Sequence, residues 1–316
     1  MTLRRVSRRA AIDVGTNSVR LLVADVPEAH SIQRSFRPIL RRLVITRLGE
    51  GLNDSGAIQS AAAARTAAAV QELVSLAASR GVPEPVIVGT YALRAARNPE
   101  ELLRRLGRPV RVLTGKEEAA LGFQGILAGL GISGPAFRIV AVDIGGGSVE
   151  LTDGTANGLR ETHSLSLGCV VLTQRFLAHD PPLASEVEAL RDFVAESVAP
   201  VLAPLRRRRF RFVGVGGTIT TAAALAQRLV PYDPDRVHGY RLSAAALRRL
   251  TGRLLAVPLV ERRRMPGLQP ERADVIGAGV LVLEHLMVEL GRRTLVVSES
   301  DLLWALLLGP SPAGRQ

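Results

Sequence analysis

One pattern occurs twice in this chain, and it constrains the fold more than any other feature of the sequence. Residues 10–25 read AAIDVGTNSVRLLVAD, and residues 138–152 read RIVAVDIGGGSVELT. In each copy an apolar run leads to an aspartate, a small glycine-containing turn follows, and a second apolar run leaves the turn. Runs rich in Val, Ile and Leu around such a turn predict a strand–turn–strand hairpin. Asp13 and Asp143 lie 130 residues apart, too far for a solenoid repeat, so the sequence predicts two related domains.

The segments after each hairpin alternate between strand and helix patterns. In the first half the sequence predicts strands at 39–48, 85–88 and 110–113 and helices at 61–76 and 117–130. In the second half it predicts a helix that begins at the N-cap Ser185 and ends or kinks at Pro200, strands at 210–215 and 294–297, and helices at 274–290 and 301–308. This order indicates an α/β protein with two lobes, and a cleft between them is the expected ligand site. We expect lobes of residues 1–118 and 119–300, with the C-terminal helix 301–316 as a candidate to complete the first.

Length and composition exclude several classes of protein. The 316 residues exceed the size at which one hydrophobic core keeps growing, and the 47% of hydrophobic residues suffice for two cores. No apolar stretch reaches the roughly 18 residues of a membrane-spanning helix, and Asp13 interrupts the apolar segment that would form a signal peptide. We therefore expect a cytoplasmic protein without membrane contact. Cys169 is the only cysteine, which excludes an intramolecular disulfide and a cysteine-rich zinc site.

The chain is strongly basic, with a formal net charge of +12 and a single lysine, Lys116. A basic balance concentrates polyanions, whether nucleic acid or polyphosphate. Aromatic residues make up 3% of the chain, which argues against a base-stacking platform for single strands, and we expect no nucleic acid partner. Two arginine clusters, 206–209 and 262–264, fit either a track for a long polyanion or solvated helix ends and loops.

Three glycine turns have the composition of phosphate-binding loops. Successive backbone N–H groups in such a turn form a partly positive nest, glycine lets the backbone approach the anion, and a hydroxyl adds a donor. The turns are Gly15-Thr16-Asn17-Ser18, Gly145-Gly146-Gly147-Ser148 and Gly216-Gly217-Thr218. Asp13 and Asp143 each end the strand before a turn, and a carboxylate beside a phosphate needs a cation between them. Mg²⁺ suits this place because it accepts one or two carboxylates together with phosphate oxygens and water.

Two Asp-x-Gly turns followed by a Gly-Gly-Thr turn resemble the acetate/sugar kinase–Hsp70–actin superfamily. In detail the sequence is similar to the exopolyphosphatase/guanosine-pentaphosphatase (Ppx/GppA) phosphatase family in its short two-domain form. The matching stretches are IDVGTNSVRLLV, GTYALRAARN, GKEEAALGFQGI, VDIGGGSVEL, SLSLGCVVLT, GVGGTITTAAAL, YDPDRVHG and ERADVIGAG. They run from residue 12 to residue 279 and so cover most of the chain. The resemblance implies two actin-like, ribonuclease H-like lobes with a ligand cleft between them.

The resemblance also implies a reaction: hydrolysis of the terminal phosphoanhydride of inorganic polyphosphate or of guanosine pentaphosphate, with Mg²⁺. Other divalent cations and a monovalent cation remain open as cofactors. In the family a glutamate at the lobe junction positions the attacking water, and we place that role on Glu118, with Glu117 as the alternative. Arg94 is the expected cationic clamp, because a guanidinium holds two phosphate oxygens at once. Arg97 is its neighbour and a possible substitute, and Arg20 lies just after the first turn.

Three further positions carry expectations. Glu150 alternates onto the same strand face as Ser148 and is assigned to the metal or the water, with a buried structural role as the alternative. His238 is expected to pack a lobe or line the cleft, not to act as a general base. The stretch 298–304 reads SESDLLW, where family members often have Gly-Leu-Arg-Glu-Gly, so the role of that turn in this chain is open.

The same features fit other functions. A kinase of the superfamily would transfer phosphate from ATP, with the turn at 216–218 serving the nucleoside. A non-catalytic sensor would bind guanosine tetra- or pentaphosphate without turnover. Polyphosphate and guanosine pentaphosphate offer the same terminal phosphoanhydride to the turns, so the sequence leaves the choice between them open. A homodimer is also compatible with the sequence.

Overall fold

The computed structural model describes residues 6–27, 37–134 and 137–309 of the chain. The chain divides into two units: unit 1 spans Met1–Ser133 and Ser300–Gln316, and unit 2 spans Gly134–Glu299. The boundary expected after residue 118 falls inside a helix, Gly115–Gly129, and the whole of that helix belongs to unit 1. Glu117 and Glu118 therefore lie in the same unit as the first glycine turn.

Unit 1 is built on a five-stranded sheet. Its first ten elements are β1 (Val6–Val14), β2 (Ser18–Pro27), β3 (Arg37–Ile45), α1 (Leu52–Ser55), α2 (Ser60–Ser79), β4 (Val86–Gly89), α3 (Tyr91–Ala95), α4 (Glu100–Leu106), β5 (Arg111–Val112) and α5 (Gly115–Gly129). The strand order is β3-β2-β1-β4-β5. The first three strands are antiparallel, whereas β4 and β5 continue the sheet in the direction of β1. The C-terminal ends of β1 and β4 therefore meet at the sheet edge where the first glycine turn lies.

Unit 2 repeats this plan with six strands. Its elements are β6 (Ile139–Ile144), β7 (Val149–Thr155), β8 (Gly158–Leu165), α6 (Cys169–Phe176), α7 (Ala184–Leu202), β9 (Arg211–Val215), α8 (Gly217–Gln227), α9 (Pro234–Val237), β10 (Arg241–Ser243), α10 (Ala244–Ala256), α11 (Leu259–Arg262), a 3₁₀ turn (Pro270–Arg272), α12 (Ile276–Glu289) and β11 (Thr294–Val297). The strand order is β10-β11-β9-β6-β7-β8. Because β6 and β9 are parallel, the turns at 145–148 and 216–218 lie at the same edge of this sheet.

Each sheet contains its own antiparallel meander of three strands, β1-β2-β3 in unit 1 and β6-β7-β8 in unit 2. In each meander the first strand also pairs in parallel with a later strand, β1 with β4 and β6 with β9. The hairpin registers also correspond: Asp13 lies opposite Arg20, and Asp143 lies opposite Glu150. The prediction of an α/β fold with two related halves is thereby confirmed.

The last helix, α13 (Leu302–Leu308), belongs to unit 1. Successive residues of β1 point to opposite faces of the sheet: Ile12 packs in the cluster that includes α2 and α4, and Ala11 packs in the cluster that includes Leu302 and Leu303 of α13. The sheet is thus covered on both faces. This explains why β1 reads as a near-continuous apolar run toward its C-terminal end.

One detail of the helix predicted near residue 185 is wrong. Ser185 is not its N-cap, because α7 begins at Ala184 and the N–H of Leu183 is bound by the carboxylate of Glu186 at 2.9 Å. Of the two outcomes expected at Pro200, an end or a kink, the structure excludes the end, because the helix continues to Leu202. The proline lies in the last turn, and Val198, Val201 and Leu202 around it are buried in the core of unit 2, so tertiary packing holds the helix past it.

The other predicted elements are present with shifts of a few residues, and the strand at 294–297 has the predicted bounds. The strand expected at 39–48 ends earlier, at Ile45, because the following residues turn to bind the first glycine turn. Within 6–27, 37–134 and 137–309, no helix has both the length and the apolar character that crossing a bilayer requires.

Candidate phosphate-binding and catalytic site

The first glycine turn has its carbonyl groups bound and its amides open. The N–H of Gly15 closes the turn on the carbonyl of Ser18 at 3.0 Å. The carbonyl of Asn17 accepts from the N–H groups of residues 46 and 47 at 3.0 and 2.9 Å, and that of Thr16 accepts from residue 49 at 2.8 Å. The N–H groups of Thr16 and Asn17 bind no acceptor in the part of the chain that the structure describes. Two neighbouring donors without acceptors form an anion-binding nest.

The turn in unit 2 has the same property in stronger form. The N–H of Gly145 closes it on the carbonyl of Ser148 at 3.0 Å. The carbonyls of residues 145, 146 and 147 accept from Cys169, Val170 and Gly168 at 3.0, 2.8 and 3.2 Å. Among the described residues no acceptor binds the N–H groups of residues 146, 147 and 148. The start of α6 therefore holds the turn by its oxygens and leaves its donors for an anion.

Gly168 makes this contact possible, and the sequence analysis gave it no role. A Cβ atom at this position would lie 2.3 Å from backbone atoms of both Gly146 and Gly147. Its position inside the stretch SLSLGCVVLT, directly before an apolar helix, was the available signal, because an isolated glycine there suggests close approach of another backbone.

The third glycine turn lies against Asp143. Gly216 has a φ of 92°, and a Cβ there would be 2.1 Å from Oδ1 of Asp143, so only glycine fits. Gly217 starts α8 and packs against the buried guanidinium of Arg272, which would be 2.3 Å from a Cβ at that position. Unit 2 thus brings together three of the predicted site segments: Asp143, the turn at 145–148 and the turn at 216–218.

Asp143 and Glu150 form a carboxylate pair that suits a divalent cation. They are direct cross-strand partners on β6 and β7, and like charges placed opposite each other destabilise a sheet unless something neutralises them. Glu150 is 4% exposed and accepts a hydrogen bond from Ser164 Oγ at 2.8 Å. The described residues contain no cluster of three or more metal-ligating side chains. A metal held here would therefore complete its shell with water and phosphate oxygens, as Mg²⁺ does.

The corresponding carboxylate of unit 1 already has a cation. Asp13 Oδ2 accepts hydrogen bonds from Arg20 Nε and Nη2 at 3.1 and 2.5 Å, while another guanidinium nitrogen of Arg20 is ion-paired with Asp301. Burial raises the pKa of Asp13, although Arg20 opposes the rise. Oδ1 of Asp13 is buried without a hydrogen-bond partner in the described chain. Oδ1 is therefore the oxygen of Asp13 that could bind a metal ion or a water molecule. The guanidinium of Arg20 is already bound to Asp13 and Asp301.

Arg94 and Glu118 are in contact. Arg94 Nη1 donates to Glu118 Oε2 at 3.1 Å and to the carbonyl of Leu113 at 2.6 Å. Among the described residues, Nε and Nη2 of Arg94 have no hydrogen-bond partner. The guanidinium of Arg97, by contrast, donates to the carbonyl of Ser55. Arg94, the expected clamp, is thus paired with Glu118, the glutamate expected to orient water. Arg97, its possible substitute, is bound to the carbonyl of Ser55 instead.

Glu117 has a different task from its neighbour. Its carboxylate accepts from the N–H of Thr114 at 2.8 Å, and the N–H of Glu117 donates to Thr114 Oγ1 at 3.2 Å, which is a capping box at the start of α5. The hydrogen bonds from Thr114 and Arg111 lower the pKa of Glu117 to about 2. This carboxylate is committed to the helix terminus.

The stretch 298–304 is divided between the two units, and each part makes contacts within its own unit. In unit 2, His238 Nδ1 accepts from the N–H of Glu299 at 3.1 Å, and the carboxylate of Glu299 accepts from the hydroxyl of Tyr232. Burial, with Glu299 nearby, raises the pKa of Tyr232. In unit 1, Asp301 Oδ1 caps α13 through the N–H of Leu303 at 2.9 Å. The sequence alone left the role of this stretch open, and no local signal pointed to the pairing of Asp301 with Arg20.

Two α/β units that each carry a strand–phosphate turn–strand hairpin define a phosphate-handling protein of the actin-like class. The model of the Ppx/GppA phosphatase family matches residues 22–304. Exopolyphosphatase 2 of Mycobacterium tuberculosis is 37% identical over 96% of this chain and 98% of its own length. The crystal structure of the Aquifex aeolicus Ppx/GppA family member is 32% identical, with a TM-score of 0.79 over 96% of this chain and 97% of that one. An exopolyphosphatase from Cytophaga hutchinsonii is 25% identical, with a TM-score of 0.85 over 96% and 97% of the two chains. The chain belongs to the Ppx/GppA phosphatase family.

Proposed function

We propose that this protein is an exopolyphosphatase that hydrolyses the terminal phosphoanhydride of inorganic polyphosphate and releases phosphate. The observation that carries the proposal is the state of the two turns at 15–18 and 145–148, whose carbonyls are bound inside the protein while their amides are open. Phosphoryl transfer depends mostly on positioning and charge neutralisation, and such turns supply both without reorganisation. The name of the Mycobacterium tuberculosis relative, which is similar over nearly its full length, supports the same reaction.

Glu118 is the residue proposed to orient the attacking water, with Arg94 beside it. Because Nη1 of Arg94 binds Glu118 and the other two nitrogens have no partner among the described residues, one guanidinium can both hold the glutamate and donate to phosphate oxygens. Glu117 is not proposed for this role, since its carboxylate caps α5. The turn at 216–218 contributes the N-terminus of α8, whose amides favour a further phosphate group.

Asp143 and Glu150 of unit 2 are proposed to hold Mg²⁺. Oδ1 of Asp13 is proposed separately as an oxygen donor of unit 1. When bound, the ion neutralises charge on the phosphate oxygens and lowers the cost of developing charge on the leaving group. The protein residues keep their own tasks: Ser164 orients Glu150 by its hydrogen bond, and Gly216 leaves room for the carboxylate of Asp143.

Phosphate release from purified protein tests the proposal. The substrates are polyphosphate, guanosine pentaphosphate and ATP, each with Mg²⁺. The proteins are wild type, the test variant Glu118→Ala and the matched control Glu117→Ala. We expect Glu118→Ala to lower kcat about 10²-fold or more with a small change in KM, as for loss of an acid–base or water-positioning group. Glu117→Ala should keep its kcat and lose stability instead.

Full turnover by Glu118→Ala, or an equal loss in both variants, would remove Glu118 from the proposed role. Hydrolysis of guanosine pentaphosphate in preference to polyphosphate would change the substrate and keep the site. Binding of either compound by wild type without phosphate release would identify a sensor.

A further inference from the structure

Unit 2 has a cluster of positively charged side chains at the sheet edge opposite its glycine turns. Residues 206–211 read RRRRFR and lead from α7 into β9, while residues 292 and 293 are both arginine and follow α12. The two segments touch, because Arg292 Nη2 donates to the carbonyl of Arg208 at 2.5 Å. β6 and β9 begin near this edge and end at the turns, so about 17–20 Å, one strand length, separates it from them. We call it the arginine edge; its members are Arg206, Arg207, Arg208, Arg209, Arg211, Arg292 and Arg293.

The charge of the arginine edge is largely uncompensated. Arg206 is ion-paired with Glu289, and the other six guanidinium groups form no ion pair within the described chain. All members except the half-buried Arg292 are exposed. Clustered like charges repel one another and attract mobile counterions. A polyanion that displaces those counterions gains free energy from their release.

Two members of the arginine edge are held in place by aromatic rings. The guanidinium of Arg211 lies 4.2 Å from the ring centre of Phe137, and that of Arg292 lies 3.7 Å from that of Phe210. Ordered guanidinium groups lose less conformational entropy when they bind. Their planar donors also match the geometry of phosphate oxygens.

We propose that the arginine edge is a second binding surface for polyphosphate, which holds a distal part of a long chain whose end is at the glycine turns. The proposal rests on the function proposed above and extends it to a preference for long chains. A long polyphosphate can occupy both places on unit 2 and gains affinity from the second contact by effective concentration. Tripolyphosphate is too short to reach across the strand length that separates them.

Two triple variants with the same change in charge test this. The edge variant is Arg207→Ala/Arg209→Ala/Arg293→Ala, which leaves the arginines with aromatic or ion-pair contacts in place. The matched control is Arg160→Ala/Arg249→Ala/Arg253→Ala, three exposed arginines elsewhere in unit 2 that form no ion pair in the described chain. Phosphate release is measured with long-chain polyphosphate and with tripolyphosphate. Binding of the long chain is measured by anisotropy without Mg²⁺ at several salt concentrations.

In the edge variant we expect KM for the long chain to rise about tenfold, with kcat and both constants for tripolyphosphate unchanged. The slope of log K against log salt concentration should become shallower by about 2, because three contacts to a single-stranded polyanion are lost. The control should change each quantity less than twofold.

Equal effects in both triple variants, or none in either, would overturn the proposal. If duplex DNA competed for the protein as well as polyphosphate does, the arginine edge would be a nucleic acid surface, and the proposal would also be overturned. If wild type released no phosphate from any polyphosphate, the proposed function would fail separately. Salt-dependent binding of polyphosphate lost only in the edge variant would still support the arginine edge.

Discussion

Asp13 and Asp143 occupy the same place before their turns, yet each faces a residue of different charge across its hairpin. Asp13 is opposite Arg20, and Asp143 is opposite Glu150. A guanidinium neutralises the first aspartate from within the chain, whereas the hairpin of unit 2 places two carboxylates directly opposite each other. We therefore propose that unit 2 holds the metal ion, although the two hairpins are alike in sequence.

Glu150→Gln tests this assignment. The amide is similar in size and still accepts from Ser164, but it lacks the negative charge that attracts a cation. We expect the Mg²⁺ concentration for half-maximal phosphate release to rise at least about tenfold, and Mn²⁺ binding without substrate, followed by electron paramagnetic resonance, to weaken equally. Glu161→Gln, an exposed carboxylate on β8, is the control and should change neither. An unaltered Mg²⁺ requirement in Glu150→Gln would show that the pair does not hold the ion.

At this scale the sequence predicted the position of the turns better than the task of each side chain. The spacing Thr114-x-x-Glu117 is a readable capping-box pattern and would have assigned Glu117 to the helix terminus without a structure. The pairing of Arg20 with Asp301 could not be read in the same way. Its partners are 281 residues apart, and nothing local distinguishes this arginine from the many others.

At the scale of elements, the N-terminus of α6 is fixed to the second turn through Gly168. This residue has a φ of −66°, which alanine adopts without strain, so Gly168→Ala adds only a methyl group against the turn. We expect kcat/KM to fall about tenfold or more because the open amides are displaced. Gly252→Ala, in open space on α10, should keep its activity and gain about 0.5–1 kcal/mol of stability. Kinetics and chemical denaturation of both variants give the answer, and normal activity of Gly168→Ala would show that the turn tolerates movement.

The start of α13 joins a helix cap to the Arg20–Asp13 pair. Asp301→Asn keeps an oxygen for the N–H of Leu303 but loses the charge that binds Arg20. We expect it to lower the free energy of unfolding by about 2 kcal/mol, as for a charged hydrogen bond that is largely shielded from water. Asp301→Ala should cost about 1 kcal/mol more, because the cap is lost too. Urea denaturation separates the two effects, and equal stability of the Asn and Ala variants would show that the cap contributes nothing.

At the scale of the whole molecule, the repeated hairpin was sufficient to predict two α/β halves, because strands buried on both faces leave long apolar runs in the sequence. The boundary between the units was harder to predict. Residues 117–130 continue one helical pattern, and only tertiary contacts show that this helix stays with unit 1. The boundary expected at residue 118 divides this helix.

The two units differ in how they are assembled from the chain: unit 2 is one segment, and unit 1 is two. Unit 2 is one continuous segment, Gly134–Glu299, with its own core. Unit 1 needs α13, which supplies Leu302, Leu303 and Leu307, buried to 2%, 5% and 1% exposure, to one face of its sheet. Three buried leucines contribute about 4–9 kcal/mol, which is comparable to the whole stability of a typical domain, about 5–15 kcal/mol.

We therefore expect residues 134–299 expressed alone to unfold in one cooperative transition, whereas residues 1–133 alone should expose an apolar sheet face and bind a hydrophobic dye. Joining residues 300–309 to residue 133 through a flexible linker should restore cooperative unfolding of unit 1, because α13 also approaches α5 so closely that a Cβ on Gly125 would lie 1.9 Å from the carbonyl oxygen of Asp301. Circular dichroism melts of the three fragments provide the comparison. If residues 1–133 folded equally well with and without α13, the helix would be an accessory to unit 1 and not a part of its core.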